Sequence, residues 1–284
     1  MHLEERKQKE IEHSDRRRTI VRAYEYHTDA SPERLELQYI EGEQEFAQHF
    51  GNMKFYSIAR ASFASRDKYL LEGIEGLNVL DYCCGNGEVG VQMAHRGARS
   101  VHGIDLSPVA IENARALAGR EGVAGQCVFE VMDAEHTEFP DSSFDVVHEY
   151  GALHHLDLNC AYEELARILK PGGKLVCTEA LRHNPFIHRY RKRTPHLRTQ
   201  WEVEHILGVP EILRGRAYFE SVHIQFFHLV SLAAVPFRKS AGCSRLLSLL
   251  EGIDGVLLRL PGVQRWAWVA VVVFTRPRKP GGQS

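Results

Sequence analysis

The stretch that decides the reading is Val79-Leu80-Asp81-Tyr82-Cys83-Cys84-Gly85-Asn86-Gly87-Glu88-Val89-Gly90. An apolar run ends in an acid, a loop of small residues follows, and a helix-forming segment opens behind it. Gly85 and Gly87 let the backbone approach a ligand closely and take dihedral angles that side chains resist. In an open α/β sheet the ligand crevice lies at the carboxyl ends of the strands, where this loop falls.

Working outward, short β-branched runs alternate with helical patterns. The spacing predicts strands over Asn78–Tyr82, Ser100–Leu106, Cys127–Asp133, Phe144–Glu149 and Lys174–Glu179. It predicts helices over Glu88–His95, Pro108–Ala118 and Cys160–Leu169. Ser107-Pro108 is a helix start, and Pro171-Gly172-Gly173 ends a helix and turns the chain into the next strand. Such alternation predicts an α/β fold, a parallel sheet covered by helices on both faces. Residues 77–180 form this core. Residues 1–76 carry no strand signal and read as an N-terminal helical cap over the site, with Glu4–Arg22 an exposed helix, a start at Ser31-Pro32-Glu33, and helical spacing over Phe55–Ile74. Residues 181–215 are polar and read as an irregular lid. Residues 216–284 hold two more strands, Tyr218–Leu229 and Val263–Thr275, around an apolar helical insertion over Ser244–Leu260.

At roughly 150 residues per domain, 284 residues allow one large domain or two small ones. Apolar residues make up 44% and charged residues 25%, which excludes a disordered chain. Lys and Arg number 35 against 37 Asp and Glu, a net charge of −2 that argues against a protein living on nucleic acid. The cysteines Cys83, Cys84, Cys127, Cys160, Cys177 and Cys243 show no zinc spacing. Several lie in apolar runs, as free thiols do, which points to a reducing, cytoplasmic setting. The N-terminus lacks an apolar signal segment. The longest apolar run, Trp266–Phe274, is about half of what a membrane-spanning helix needs.

Three predicted strands end in an acid. Asp81 is placed to attract an ammonium group, Asp105 to accept both hydroxyls of a ribose, and Asp133, followed by Ala134, to take a hydrogen bond from an exocyclic amine. Gly85-x-Gly87-x-x-Gly90 also fits a dinucleotide fingerprint, but a pyrophosphate would not favour an acid before the loop. The set describes S-adenosylmethionine better than NAD. Asp145, inside the fourth strand, reads as structural.

The chain resembles the class I S-adenosylmethionine-dependent methyltransferases of the small-molecule type. The resemblance is carried by Val79–Gly87, Gly103–Pro108, Met132-Asp133-Ala134, Phe139–Asp145, Leu153-His154-His155-Leu156 and Leu169–Gly173. It implies a Rossmann-like, seven-stranded, mostly parallel sheet whose last strand is antiparallel. It also implies a cofactor site of Asp81, Cys83, Gly85, Gly87, Asp105, Leu106, Asp133, Ala134 and Glu149. The family loop reads acid-x-Gly-x-Gly-x-Gly, and Cys83 replaces the first glycine. Because Cys has a Cβ, the expectation is a reshaped turn or a negative φ there.

Methyl transfer is an in-line displacement that needs an aligned nucleophile and sometimes a base. Base candidates follow the fourth strand: His154, His155 and Glu149, with Tyr150 beside them on the substrate side. The Arg- and His-rich stretch Arg182–Thr199 offers His183, Arg189 and His196 to grip a carboxylate or phosphate, or to touch an anionic membrane surface. In the cap, Tyr24, Tyr26, Tyr39, Phe46, Phe50, Phe55 and Tyr56 either surround a planar or isoprenoid substrate or are simply core. No Asn/Asp-Pro-Pro-aromatic motif ends the fourth strand, which reads His148-Glu149-Tyr150-Gly151, so no nucleic-acid partner is expected. No metal centre is expected either.

The leading expectation is methyl transfer to a small hydrophobic metabolite, such as a natural-product, prenylated aromatic or quinone-like acceptor, with S-adenosylhomocysteine as product. The alternatives are an enzyme on this fold that also cyclises its substrate, a protein that binds the cofactor without catalysis, and a NAD-linked dehydrogenase. A homo-oligomer and at most peripheral membrane contact complete the expectation.

Overall fold

The computed structural model describes residues 3–25 and 52–279. Seven strands form one sheet in the order β3-β2-β1-β4-β5-β7-β6. They are β1 (Asn78–Tyr82), β2 (Ser100–Asp105), β3 (Cys127–Val131), β4 (Phe144–Tyr150), β5 (Leu169–Ala180), β6 (Phe219–Phe227) and β7 (Val269–Pro277). Strands β1 to β5 run parallel, and β7 is antiparallel to both β5 and β6. The strand order reverses at β1, whose neighbours are β2 and β4. That reversal opens a crevice at the carboxyl ends of the strands.

Burial explains the strand composition. Val79, Leu80, Val147, Leu175 and Val176 are fully buried, as expected of a sheet covered on both faces. The described helices are α1 (Leu3–Glu25), α2 (Met53–Tyr56), α3 (Arg60–Leu71), α4 (Glu88–His95), α5 (Pro108–Arg120), α6 (Leu158–Ile168), α7 (Pro185–Arg193), α8 (Gln200–His205), α9 (Val209–Leu213) and α10 (Cys243–Leu257). Ser107 caps α5, its Oγ accepting the Ala110 N–H at 3.0 Å, with Pro108 opening the helix. Helix α6 starts earlier than its apolar pattern because Asp157 caps it, accepting from Asn159 and Cys160 N–H.

Other boundaries shift for identifiable reasons. Pro171-Gly172-Gly173 bends the chain inside β5, and the register against β4 skips from Leu169 to Lys174. The last strand begins at Val269 rather than Val263, after a 3-10 turn over Val263–Trp266 that follows Gly262 at φ +84°. The helical spacing over Phe55–Ile74 is broken between α2 and α3. Phe55 and Tyr56 there pack on Trp268, with ring centroids 5.8 and 5.4 Å away. Helix α1 departs most from expectation. It is not simply exposed: Arg6 is buried, and one face of the helix lies across the carboxyl ends of the strands.

Asp145 is structural, accepting the Asn78 N–H at 2.9 Å and pairing with Lys170 at 2.7 Å. All six cysteines are free. Among the described residues no helix is long and apolar enough to cross a membrane. The helix start at Ser31-Pro32-Glu33 and the aromatics Tyr26, Tyr39, Phe46 and Phe50 lie outside the described residues, as does the side chain of Tyr24.

Candidate active site

The loop after β1 is built on left-handed backbone. Cys83, Gly85 and Gly87 have φ of +58°, +54° and +79°. Cys83 therefore holds the conformation a glycine would supply, not the expected negative φ. Its Cβ carries the strain that the left-handed region imposes on L residues. Gly87 has no such freedom, since a Cβ there would lie 2.7 Å from Ala114 Cβ and 3.0 Å from the Phe129 ring. Cys84 N–H donates to Ile104 O at 2.8 Å, which ties the loop to β2.

Each strand-terminal acid pins this scaffold. Asp81 is buried; its Oδ2 accepts the Gly90 N–H at 2.9 Å and its Oδ1 meets His148 Nδ1 at 2.8 Å. Asp105 accepts from Gly85 N–H at 3.0 Å and Ser107 N–H at 2.9 Å. Asp133 Oδ1 accepts the Glu135 N–H, and its Oδ2 pairs with Lys7 of α1. Helix α1 makes further contacts across the opening: Arg6 with Glu135, Asp15 with Ser107 Oγ, and Glu10 with Thr199 Oγ1.

A second cluster of polar groups sits past the ends of β4 and β5. Glu149 and Glu179 are both buried. Glu149 accepts the N–H groups of Ala152 and Leu153. Glu179 accepts the Leu153 N–H at 2.8 Å, and its Oε2 lies 2.9 Å from His154 Nδ1. Burial pushes the Glu179 carboxyl up to about 7 and holds Glu149 well above the usual carboxylate range. Burial also lowers the His154 imidazole. With Nδ1 donating to Glu179, a neutral His154 presents a free lone pair at Nε2. His154, His155 and Glu202 each bring a donor atom within 4.8 Å of the others, a gathering the sequence spacing did not suggest. Each already has a protein partner: Glu179 for His154, Glu10 at 2.8 Å for His155, and Arg198 at 3.1 Å for Glu202.

Both clusters open on one cavity of about 1060 Å³. The Gly85 loop, Asp105 and Asp133 line one part of it. His154, Glu179 and Glu202 line another, beside an apolar wall that includes Phe55, Phe63, Tyr150, Ile187 and Trp268.

Residues 79–173 match a family of methyltransferase domains. The matched span runs from β1 into β5 and holds the Gly85 loop with Asp81, Asp105 and Asp133. The chain is 39% identical over 107 residues to the 27-O-demethylrifamycin SV methyltransferase of Amycolatopsis mediterranei, covering 37% of this chain and 39% of that protein. It is 35% identical over 116 residues to an O-methyltransferase of Penicillium expansum, covering 40% and 42%. The chain thus spans about two fifths of the length of these curated relatives. In fold it is similar to a geranyl diphosphate methyltransferase solved with geranyl diphosphate and sinefungin, with TM-score 0.54 and 17% identity over 75% of this chain and 78% of that one. It is also similar to the cyclase SpnF, with TM-score 0.52 and 19% identity over 76% and 80%. At these identities the two structures speak for the fold alone.

Most residues expected at the methyltransferase site line the cavity: Asp81, Cys83, Gly85, Asp105, Leu106, Asp133, Ala134, Tyr150, His154 and His155. Five do not. Gly87 shapes the loop from behind. Glu149 is sealed beneath the turn whose N–H groups it holds. His183, Arg189 and His196 are exposed on the outside of the lid. Helix α7 turns Ile187, Tyr190 and Arg191 inward instead, at helical spacing, which puts Arg189 on the opposite face. Glu179, Glu10, His13, Arg17, Arg198 and Glu202 line the cavity and were not expected. Of these, Glu179 had a signal, since it ends an apolar strand in an acid as Asp81 and Asp105 do.

Proposed function

We propose that the protein transfers a methyl group from S-adenosylmethionine to a hydroxyl oxygen of a small, largely apolar acceptor. The observation that carries this reading is the single cavity holding both the Gly85 loop with its acids and the His154–Glu179 pair. The loop fits the cofactor: glycine backbone replaces side chains where a nucleoside must approach, and Asp105 faces the cavity at the end of β2. Asp105 would accept the ribose hydroxyls, and Asp133 with Ala134 would meet the adenine. Asp81 holds the loop rather than the ligand: it is buried and bonded to Gly90 N–H and His148, whereas Asp105 is only half-buried at the cavity.

The sulfonium of the bound cofactor supplies a methyl group already activated by positive charge. The protein's task is to align the acceptor and take its proton. His154 lines the cavity while Glu179 holds its Nδ1, so Nε2 would take the acceptor's hydroxyl proton, and the cofactor, when bound, would supply the methyl group. The aromatic wall favours an apolar acceptor body. Relatives named as O-methyltransferases support an oxygen acceptor.

The test is transfer of isotopically labelled methyl from S-adenosylmethionine to a panel of hydroxylated apolar acceptors. Labelled ether products lost in His154→Ala support the reading. Cofactor binding with no transfer to any acceptor class would assign a binding protein, and products with a new ring would assign a cyclase.

A further inference from the structure

The segment from Ser231 to Trp266 packs inward on Leu232, Val235 and Leu247, against Trp268 and Val269 of the cavity wall. Its outer side is unlike the rest of the surface. Along α10 and the turn after it, Leu249, Ile253, Val256 and Leu260 recur at helical spacing on the face opposite the buried Leu247, Asp254 and Leu258. Leu249 and Val256 are 64% and 65% exposed, and the same segment also exposes Phe237 and Trp266. The segment carries five exposed cations, Arg238, Lys239, Arg245, Arg259 and Arg265; Arg245 lies one helical turn before Leu249, and Arg259 is next to Leu260. The segment's two acids are withdrawn from this side. Glu251 pairs with Arg60, and Asp254 is buried, accepting the N–H groups of Leu229, Val230 and Ser231. The outward face therefore presents apolar side chains and positive charge with no carboxylate.

We propose that this face docks on a membrane surface carrying anionic lipid. An apolar helical stripe rimmed by Arg and Lys is the pattern of a helix lying in the bilayer interface. Each cation near an anionic leaflet adds attraction that salt screens. Charge complementarity selects this occupant over a second copy of the chain, whose identical cations would face one another.

The full chain is sedimented with phosphatidylcholine vesicles with and without about 30% phosphatidylglycerol, an anionic content chosen to raise the surface potential. The expected result is binding to the anionic vesicles alone, weakened by salt. Leu249→Glu with Val256→Glu should reduce that binding at least about tenfold by removing apolar insertion and adding charge repulsion. Both positions are exposed, so the variant should keep its melting temperature. Val128→Glu, 48% exposed on the edge strand β3 at the other end of the sheet from β7, should bind as the parent does. Absence of vesicle binding, or binding that the double substitution leaves intact, overturns the proposal. A concentration-dependent dimer dissolved by the same substitutions would assign the face to a second copy and overturn it equally. None of these outcomes depends on methyl transfer.

Discussion

Glu179 Oε2 and His154 Nδ1 lie 2.9 Å apart, although 25 residues separate them in the chain. The end of β5 supplies the acid and the turn after β4 supplies the imidazole. In the proposed reaction this contact makes His154 Nε2 the base.

His154→Ala should lower kcat by about 10²–10⁴-fold, the usual contribution of a positioned base, while S-adenosylhomocysteine affinity stays the same. Glu179→Gln should keep part of the rate and change its pH dependence. The pair takes up its first proton near pH 7, the value to which burial pushes Glu179. In the parent protein, kcat/KM should therefore fall as pH drops below about 7. Without the Glu179 carboxylate, His154 titrates with its imidazole lowered by burial, so the acid limb should move down. A pH–rate profile of both proteins checks the shift, which a merely structural Glu179 would not produce.

Stability should fall with acid for a separate reason. His228 is buried between Ser62 and Ser231, and burial lowers its pKa to about 4. The folded-state pKa is depressed, so between about 6.5 and 4 the unfolded chain binds more protons and stability is lost as pH falls. The loss from this group approaches about 3 kcal/mol at the lower end. Denaturant unfolding of His228→Asn should show a flatter pH dependence. His13, also lowered to about 4, supplies a remaining slope.

Two substitutions in the first loop should diverge. Cys83→Gly relieves a side chain at φ +58° but frees the unfolded chain, so stability should change by less than about 1 kcal/mol, with cofactor binding retained. Gly87→Ala places a Cβ 2.7 Å from Ala114 at φ +79° and should cost about 2–4 kcal/mol and weaken cofactor binding. Thermal melts with and without S-adenosylhomocysteine separate the two.

Chelation should leave the rate unchanged. His154, His155 and Glu202 are close enough to suggest a cation site, but the Arg198 guanidinium lies 3.1 Å from the Glu202 carboxylate and its charge disfavours a second cation there. Dialysis against EDTA followed by assay checks this, and restoration of a lost rate by a divalent cation would contradict it.

The sheet and the acids and glycines that line one part of the cavity were legible in the sequence because each rests on local signals: apolar runs of strand length, acids near strand ends, glycines in the loop. Asp105 and Asp133 could be placed from one segment apiece. The reacting end was less legible because it is assembled across the chain. Glu149 and Glu179 both end strands, and only packing decides that one is sealed beneath a turn while the other reaches His154. In Arg182–Thr199 the charge density hides the phase that turns Ile187 and Arg191 toward the cavity and leaves His183, Arg189 and His196 exposed. Helix α1 is so uniformly charged that no apolar stripe marks its inner face. Its contacts are ion pairs to acids distant in sequence, such as Lys7 to Asp133.

The most direct test of the central claim is calorimetric titration of S-adenosylhomocysteine into the parent protein and Asp105→Asn. Asparagine keeps the size of the side chain and one acceptor for the loop N–H groups. A carboxylate bonded to ribose hydroxyls contributes about 2–3 kcal/mol, so the account predicts saturable binding by the parent and a Kd about 30- to 150-fold weaker in the variant. Absence of binding by the parent, or equal affinity in both proteins, would contradict it.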